Sequence, residues 1–511
     1  IRLDLTINST ISNVSAQVSC IQPNVDDYRF LNDIGNITIK DIEIIKEYNS
    51  NKDESILLGL EFTGNLNING NIITNQGGSD ILLVVLDSTL SNISSYDHIY
   101  SNGNDSLMDL YIGSSDFLKI SGSFSGNQIF VPSKNQFSSW NFQNSKQKGF
   151  TLEWRINSTL NNVTGLFTNA DIASYHSGGT DYFSLINFKG NNLEISDGSG
   201  QPTTPFSISS NNSWDALLLD NNFQLSFPNA DYYHLFTGSG DDYLVNLISH
   251  YDNNNYVVQN PIGLMSNSTT IDINSKTVSN YGGFDLIYLS FDQNSSDLIK
   301  LHAQVGSAVN DYFGPSGTYL FRSDSINSST SDLGPITQRS FSRRNPLMVD
   351  VGSISNNNLT SSILDNYHFG NPNAGGFSSH IYGENANDIA IHPSNGLPFN
   401  AYVFDNNNGN LIIYDPSNNI LVDEKSLLEN ESFLYVGSND GSWMAKFTSN
   451  NNLTLQKVVK FNNSVITTGI VDGSNFNISG QPFNVSNPSS SNPFIFKINK
   501  GNNYNISALE T

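Results

Sequence analysis

Apolar and polar positions follow two patterns along this chain. The opening stretch, IRLDLTINSTISNVSAQVS (Ile1 to Ser19), alternates with period two, which predicts two strands and a turn near Ser12 and Asn13. ITIKDIEIIKEYN (Ile37 to Asn49) is a further β-compatible run, because β-branched residues dominate its apolar set. From Glu54 onward two unit types alternate. The first is ESILLGLEFTGNLNING (54–70), which returns as DSLMDLYIGSSDFLKISGSF (105–124), DYLVNLISHYDNNNYVV (242–258) and TTGIVDGSNFNISG (467–480). The second is GGSDILLVVLD (77–87), returning as SWDALLLDNNFQLSF (213–227) and GGFDLIYLSFDQNSSDLIKLH (282–302). Its later copies are GSWMAKFTSNNNLTLQKVV (441–459) and NPFIFKINKGNNYNIS (492–507). Each unit reads as a strand, a turn bearing Gly, Asn or Asp, and a second strand.

A rare residue marks the joint between units. His98, His176, His234, His302 and His368 each stand in a turn context of aromatic, Gly and acidic residues, as in YHLFTGSGDDY (233–243). They lie roughly 60 to 80 residues apart, a period typical of repeat architectures. Two hairpins supply four strands, and four strands in about 65 residues make one blade of a β-propeller. The fold expected is therefore all-β: a single β-propeller of seven blades, with eight as the alternative, each a four-stranded antiparallel sheet. Blade starts are expected near Asp105, Asp181, Asp241, Asp311 and Gly376, and the block 376–461 holds one swollen blade or two small ones. Residues 36–511 would form the propeller. Residues 1–35 would be a strand segment that closes the ring or pairs with a neighbouring subunit.

The units resemble the bacterial and archaeal β-propeller repeat labelled SBBP. The matching residues in one unit are Gly282, Gly283, Asp285 and Asp292, with Gly441, Ala445, Lys446 and Phe447 in a later copy. In the other unit they are Gly469, Ile470, Val471, Asp472, Asn475 and Gly480. The resemblance covers most of Glu54 to Ser507 and implies an extracytoplasmic propeller with no shared catalytic residues to carry over.

Composition narrows the partners. The formal charge of −24 excludes a nucleic-acid partner, which needs clustered Lys and Arg. Charged residues make up only 14% of the chain and aromatics 11%, so surface polarity comes from amides and hydroxyls while the interior has ample apolar material. No run of about 20 apolar residues is present to span a bilayer. Cys20 stands alone, so no internal disulfide forms, and it reads as a small buried residue. A start at Ile1 rather than Met fits a processed, exported chain. Asn-x-Ser/Thr triplets fall at Asn8, Asn13, Asn36, Asn92, Asn104, Asn157, Asn162, Asn211, Asn267, Asn294, Asn327, Asn358, Asn430, Asn452, Asn462, Asn477, Asn484 and Asn505. Chance in so Asn-rich a chain supplies about 15 of these. The wider composition, poor in Lys and Cys, resembles that of exposed archaeal surface proteins.

No reactive constellation stands out. Histidines at equivalent blade positions are spread around a ring, too far apart to share one ion, and are expected to hydrogen-bond across the blade-joining turn. No cofactor is expected. Calcium is the alternative at Asp405–Asn410 and Gly238–Asp242, but Gly409 arrives one residue early for an EF-hand and no Glu follows at the required distance. GSNDGSW (437–443) lacks one spacer of a sialidase Asp-box, and Arg343 and Arg344 read as a solvated loop. Nucleophile elbows, zinc motifs and phosphate loops are absent. The reading is a secreted or cell-surface, N-glycosylated, non-catalytic propeller, structural or adhesive, in a surface layer, appendage or filament. Its partners would be copies of itself or other surface proteins and glycans. A carbohydrate-active hydrolase or lyase, and a viral receptor-binding or spike component, are the alternatives.

Overall fold

The computed structural model describes residues 2–6, 15–21, 23–31, 36–46, 53–112, 117–132, 148–156, 164–168, 171–177, 183–190, 193–197, 202–208, 210, 213–220, 233–246, 260–273, 276–280, 283–291 and 299–306. Beyond these it describes 312–313, 320–325, 327–329, 340–348, 380–382, 386–394, 397–404, 410–415, 420–426, 431–438, 441–462, 464–485, 491–499 and 503–507. The described residues are nearly all β, and every strand pairing within their sheets is antiparallel.

The first sheet is a meander of Ile37–Lys46, Asp53–Phe62, Asp80–Asp87 and Ile93–Ile99. The second runs Asp105–Ile112, Phe117–Phe124, Lys148–Arg155 and Thr164–Thr168, with Leu193–Asp197 and Pro202–Ile208 added at its far edge. The third comprises Asp171–Ser177, Phe183–Lys189, Asp215–Asp220 and Tyr233–Phe236. The fourth comprises Asp242–Asn246, Asn260–Ser266, Asp285–Phe291 and Ile299–Gly306, with Asn327–Ser329 at its edge. Two three-stranded sheets follow, one starting at Tyr312–Phe313 and one at His380–Tyr382. The seventh begins Ala386–Ser394, Leu397–Phe404, Glu431–Ser438, Gly441–Ser449. The block 376–461 thus interleaves two sheets rather than forming one after the other. The eighth sheet joins Leu453–Phe461, Ser464–Val471 and Asn492–Asn499 to Asn24–Phe30 from the other end of the chain.

The apolar runs explain the stacking. In ILLGLEF and DILLVVLD the hydrophobic residues do not alternate, because both faces of the first sheet are covered. Ile56, Leu58, Leu60, Leu82, Val84 and Leu86 pack with Phe461, Ile466 and Ile495 of the eighth sheet. On the opposite face Leu57, Ile81 and Leu83 pack with Leu107, Ile120 and Phe150 of the second. The eighth sheet in turn buries Phe494, Phe496 and Ile498 against Phe447 of the seventh. Successive sheets are therefore layered face against face.

At three places the structure departs from the sequence reading. LNINGNII is not a sheet strand: Leu66–Ile68 and Asn71–Ile73 form a separate ribbon over a turn with Asn69 at φ 50° and Gly70 at φ 84°. Ser479 and Gly480 repeat that turn at φ 49° and 93°, since two left-handed residues match the twist of a tight hairpin. The 492–507 unit is not a hairpin, because Asn24–Phe30 occupies the edge of Asn492–Asn499 and leaves Asn503–Ser507 to pair with Ser15–Ile21. Within 1–35, Arg2–Thr6 and Ser15–Ile21 pair with each other, and Asn24–Phe30 is the strand that joins the eighth sheet. The third sheet starts at Asp171, not near Asp181.

Asn24–Phe30 is held by aromatic contacts and by Asp26. Tyr28 stacks on Phe496 with ring centroids 5.3 Å apart, and Phe30 meets Phe494 edge-on at 6.5 Å. Asp26 accepts from Asn499 Nδ2 at 2.8 Å and from Ser464 Oγ at 3.2 Å.

One local device recurs in the second strand of three sheets. Gly122 pairs with Phe150 and Gly469 with Phe494, while Gly59 pairs with Leu83. A Cβ at Gly122 would strike the Ser106 carbonyl oxygen and the Phe150 ring, and one at Gly469 the Thr454 carbonyl oxygen and the Phe494 ring. At Gly59 the close neighbour is only the tip of Leu107, which can rotate away. Gly122→Ala and Gly469→Ala should each cost about 2 kcal/mol in denaturant melts, and Gly59→Ala clearly less.

Candidate functional site

The junctions between sheets are built from buried acids. Asp80 opens the third strand of the first sheet and is fully buried, and His98 on the fourth strand meets its Oδ2 through Nε2 at 2.8 Å. Gln76 N–H donates to the same oxygen at 2.8 Å, and Oδ1 is buried with no hydrogen-bond partner. Asp105 opens the second sheet. Its backbone N–H donates to the Ser79 carbonyl at 2.8 Å, and its carboxylate accepts from the backbone N–H and hydroxyl of Ser101. The same joint returns two sheets later, between the third and the fourth. Asp242 is buried, its N–H donates to the Trp214 carbonyl at 2.7 Å, and Ser268 Oγ lies 3.0 Å from both of its carboxylate oxygens. Asp215, next to Trp214, stands where Asp80 stands in the first copy. Burial pushes Asp105 up to about 7 against its Ser101 hydrogen bonds, with Asp80 and Glu61 adding to the rise. Burial likewise pushes Asp242 up to about 7, with Asp215 and Asp241 adding.

A second acidic group lies on the first strands. In the first, second, third and eighth sheets alike the first strand carries an irregularity in register, between Ile39 and Asp41, Leu107 and Asp109, Ile172 and Ser174, and Leu455 and Lys457. Such bulges re-aim the side chain that follows. The residues just past them are equivalent: Asp41, Asp109, Ser174 and Lys457. Three of these act on one another. Lys457 Nζ is 3.0 Å from Asp41 Oδ1, and Asp41 Oδ2 accepts from Leu110 N–H of the next sheet at 3.0 Å. Burial raises Asp41, Lys457 opposes the rise and Asp109 adds to it. Glu43, two residues along the same strand, is pushed up to about 8 by burial first and then by the Asp41 carboxylate. A neutral carboxylic acid beside a lysine-paired carboxylate can hold and pass a proton.

The sequence-predicted residues fall in several places. His98, His234 and His302 lie on fourth strands, whereas His176 lies on the first strand of the third sheet, and His368 is outside the described residues. The His176 difference arises because its surrounding SYHS pairs with Phe183–Lys189 instead of ending a sheet. Asn36, Asn92, Asn104, Asn267, Asn452, Asn462 and Asn484 are exposed and Asn477 is half-buried. Asn327 and Asn505 lie in strands, and the other eight candidates are outside the described residues. Arg343 and Arg344 lie in the strand Ser340–Met348, not in a loop, paired beside Leu320–Ser325. Asp405–Gly409 is outside the described residues, while Asp241 and Asp242 are engaged by Trp214 N–H and Ser268. Among the described residues no group of three or more His, Cys, Asp or Glu is placed to hold a metal ion, and no helix is long and apolar enough to cross a membrane. The girdle of Asp41, Glu43, Asp109 and Lys457 escaped sequence reading. Its signal, a polar residue one past a bulge, appears only once pairing is known.

No protein-family model and no curated protein matches this chain. Among solved structures it is similar to the β-propeller domain of Myceliophteria thermophila Cps50 (Swd1), at 9% identity over 90% of this chain and 99% of that one, with a TM-score of 0.28. It is also similar to the quinohemoprotein alcohol dehydrogenase of Comamonas testosteroni, at 7% identity over 94% of this chain and 77% of that one, TM-score 0.26.

Removing the one cation from the girdle tests its electrostatics. Lys457→Met should destabilise the protein by about 1–3 kcal/mol at neutral pH, because Asp41 keeps a buried charge without its partner. The penalty should shrink in acid as Asp41 takes up a proton, and Asp41→Asn combined with Lys457→Met should recover most of it. Thermal melts of the three proteins at neutral and acidic pH check this.

Proposed function

We propose that the chain is a closed β-propeller of seven or eight blades, of the SBBP-like kind, carried at the cell surface or secreted. In this reading it is N-glycosylated and serves a non-catalytic structural or adhesive role in a surface layer, appendage or filament. The observation that carries the ring is the eighth sheet, where Asn24–Phe30 completes three strands from the far end of the chain. Lending one terminal strand to the other terminus is how an open array of sheets removes its last edge. Support for the structural role comes from how polar side chains are spent: Asp80, Asp105, Asp242 and His98 bond across joints between strands and sheets. Support for the surface location comes from sequon Asn residues such as Asn36, Asn92 and Asn484, which are exposed.

One observation favours a second reading. Glu43, Asp41 and Asp109 gather on neighbouring first strands, and paired carboxyls of unequal acidity are what a glycoside hydrolase uses. Electron micrographs of the native particle, with glycan mapping by mass spectrometry, should give ring-shaped subunits in an array or filament bearing sugar at exposed sequons. Isolated unglycosylated monomers would overturn the first reading. Cleavage of any member of a polysaccharide panel, lost in Glu43→Gln, would establish the second.

A further inference from the structure

We infer that copies of this chain exchange their N-terminal strands: Asn24–Phe30, with Ser15–Ile21 before it, completes the eighth sheet of a second copy. This names the surface through which copies join, and it rests on the self-association in the surface-layer, appendage or filament reading. The pairing pattern singles the segment out. From Gln17↔Ser507 to Phe30↔Phe494 it runs antiparallel along 494–507 in a nearly continuous register. Among the described residues, Arg2–Thr6 and Ser15–Ile21 form a sheet only with each other and with Asn503–Ser507, and Asn24–Phe30 pairs only with Asn492–Asn499. Everything before Leu31 is thus paired to the last strands and to nothing between them.

The acceptor is built like a groove for an added strand. Tyr28 and Phe30, two residues apart, meet Phe476, Phe483, Phe494 and Phe496, with ring centroids between 4.9 Å for Tyr28–Phe483 and 6.5 Å for Phe30–Phe494. Alternate side chains in pockets, with a backbone ladder between them, are how strand addition gains both affinity and specificity. Asp26 accepts from Asn499 and Ser464, and Lys497 Nζ lies 3.4 Å from Asp27 Oδ2. Apart from Arg29, which reaches the Ser91 carbonyl, these contacts join residues before Leu31 to residues from Ser464 onward. A second copy offers the same acceptor and the same Ser91, so exchange keeps these bonds and the local concentration of copies sets the balance.

Charge and surface composition point to the same place. The chain carries −24, yet 492–507 holds Lys497 and Lys500 and no acid, while the incoming strand brings Asp26 and Asp27 against one Arg29. Copies that repel over most of their surface attract at this strip. Among the described residues, the large hydrophobics exposed outside this strand are Ile72 and Tyr96, too few for an apolar interface between copies. Joining through backbone pairing needs no such patch. Donor and acceptor are different surfaces of one chain, so reciprocal exchange closes a pair and one-way exchange builds a head-to-tail run.

The single cysteine makes the test direct. Cys20 has Tyr504 as its Cα partner, and partners in an antiparallel ladder lie within disulfide reach. Tyr504→Cys in the full chain, oxidised with glutathione disulfide at high protein concentration, should lose most of its monomer band on a non-reducing gel. Dimers and larger species should replace it, vanish with reductant and exceed those of the wild type. Cross-links that consume both thiols but leave the mobility of a monomer overturn the exchange, as do multimers no more abundant than in the wild type. If the same particles still form arrays or filaments in micrographs, the surface-assembly reading survives without it. Covalent multimers from particles that form no array uphold the exchange and sink that reading instead. Should Tyr504→Cys fail to fold or keep its thiols free, Asn24→Cys with Asn499→Cys and Cys20→Ser decides by the same gel, since Asn24 and Asn499 are also Cα partners. Free thiols or intrachain links there refute the exchange.

Discussion

The described structure depends on what happens at the free edge of the first strand in the second and fourth sheets. A strand with one unpaired edge offers a row of N–H and C=O groups that must find partners or attract another chain. Here side chains from the preceding sheet supply them. Glu61 accepts from Leu107 N–H at 2.9 Å and from the Ser106 hydroxyl, and Asp41 accepts from Leu110 N–H. Asn187, on the second strand of the third sheet, both donates to and accepts from the Leu244 backbone on the first strand of the fourth, at 2.8 and 2.7 Å. A short polar side chain thus does between sheets what a ladder partner does within one.

That arrangement explains why acids are buried at all. An apolar residue at Glu61 or Asp41 would leave backbone donors orphaned between two hydrophobic layers, at a cost comparable to a lost hydrogen bond for each. Accepting from N–H groups suits a carboxylate or an amide, and this chain uses both. Carboxylates then accumulate near one another as the arrangement repeats from sheet to sheet, and lysines such as Lys40 and Lys457 offset only some of them. Burial is the first cause that raises Asp105, Asp242 and Glu43, and neighbouring carboxylates add to each.

The eighth sheet shows the same demand met differently. Its last edge is covered by a strand, Asn24–Phe30, clasped by Tyr28 against Phe496. Cations from this sheet then reach the turn of the first: Lys497 Nζ donates to the Ser88 carbonyl and Arg29 to that of Ser91, both at 3.2 Å. These contacts join the two ends of the chain to a neighbouring sheet at one point.

Much of the secondary structure was legible in advance, since period-two alternation and Gly-Asn turns are local properties. Runs such as DILLVVLD announced burial on both faces, and the His-to-Asp step marked where the first and third sheets end, at His98 and His234. What the sequence could not settle was partner choice. LNINGNII and GLEF both look like strand halves of one hairpin, and only the competition for sheet edges sends the former to a separate ribbon. The joining strand Asn24–Phe30 has weak alternation and two adjacent acids, so its β character comes from the edge it meets. The girdle is the clearest case. Asp41, Asp109 and Lys457 lie far apart in sequence and become neighbours because a one-residue slip in each first strand turns equivalent side chains toward one another. A register slip is a property of pairing between strands, and it leaves no mark on either strand alone.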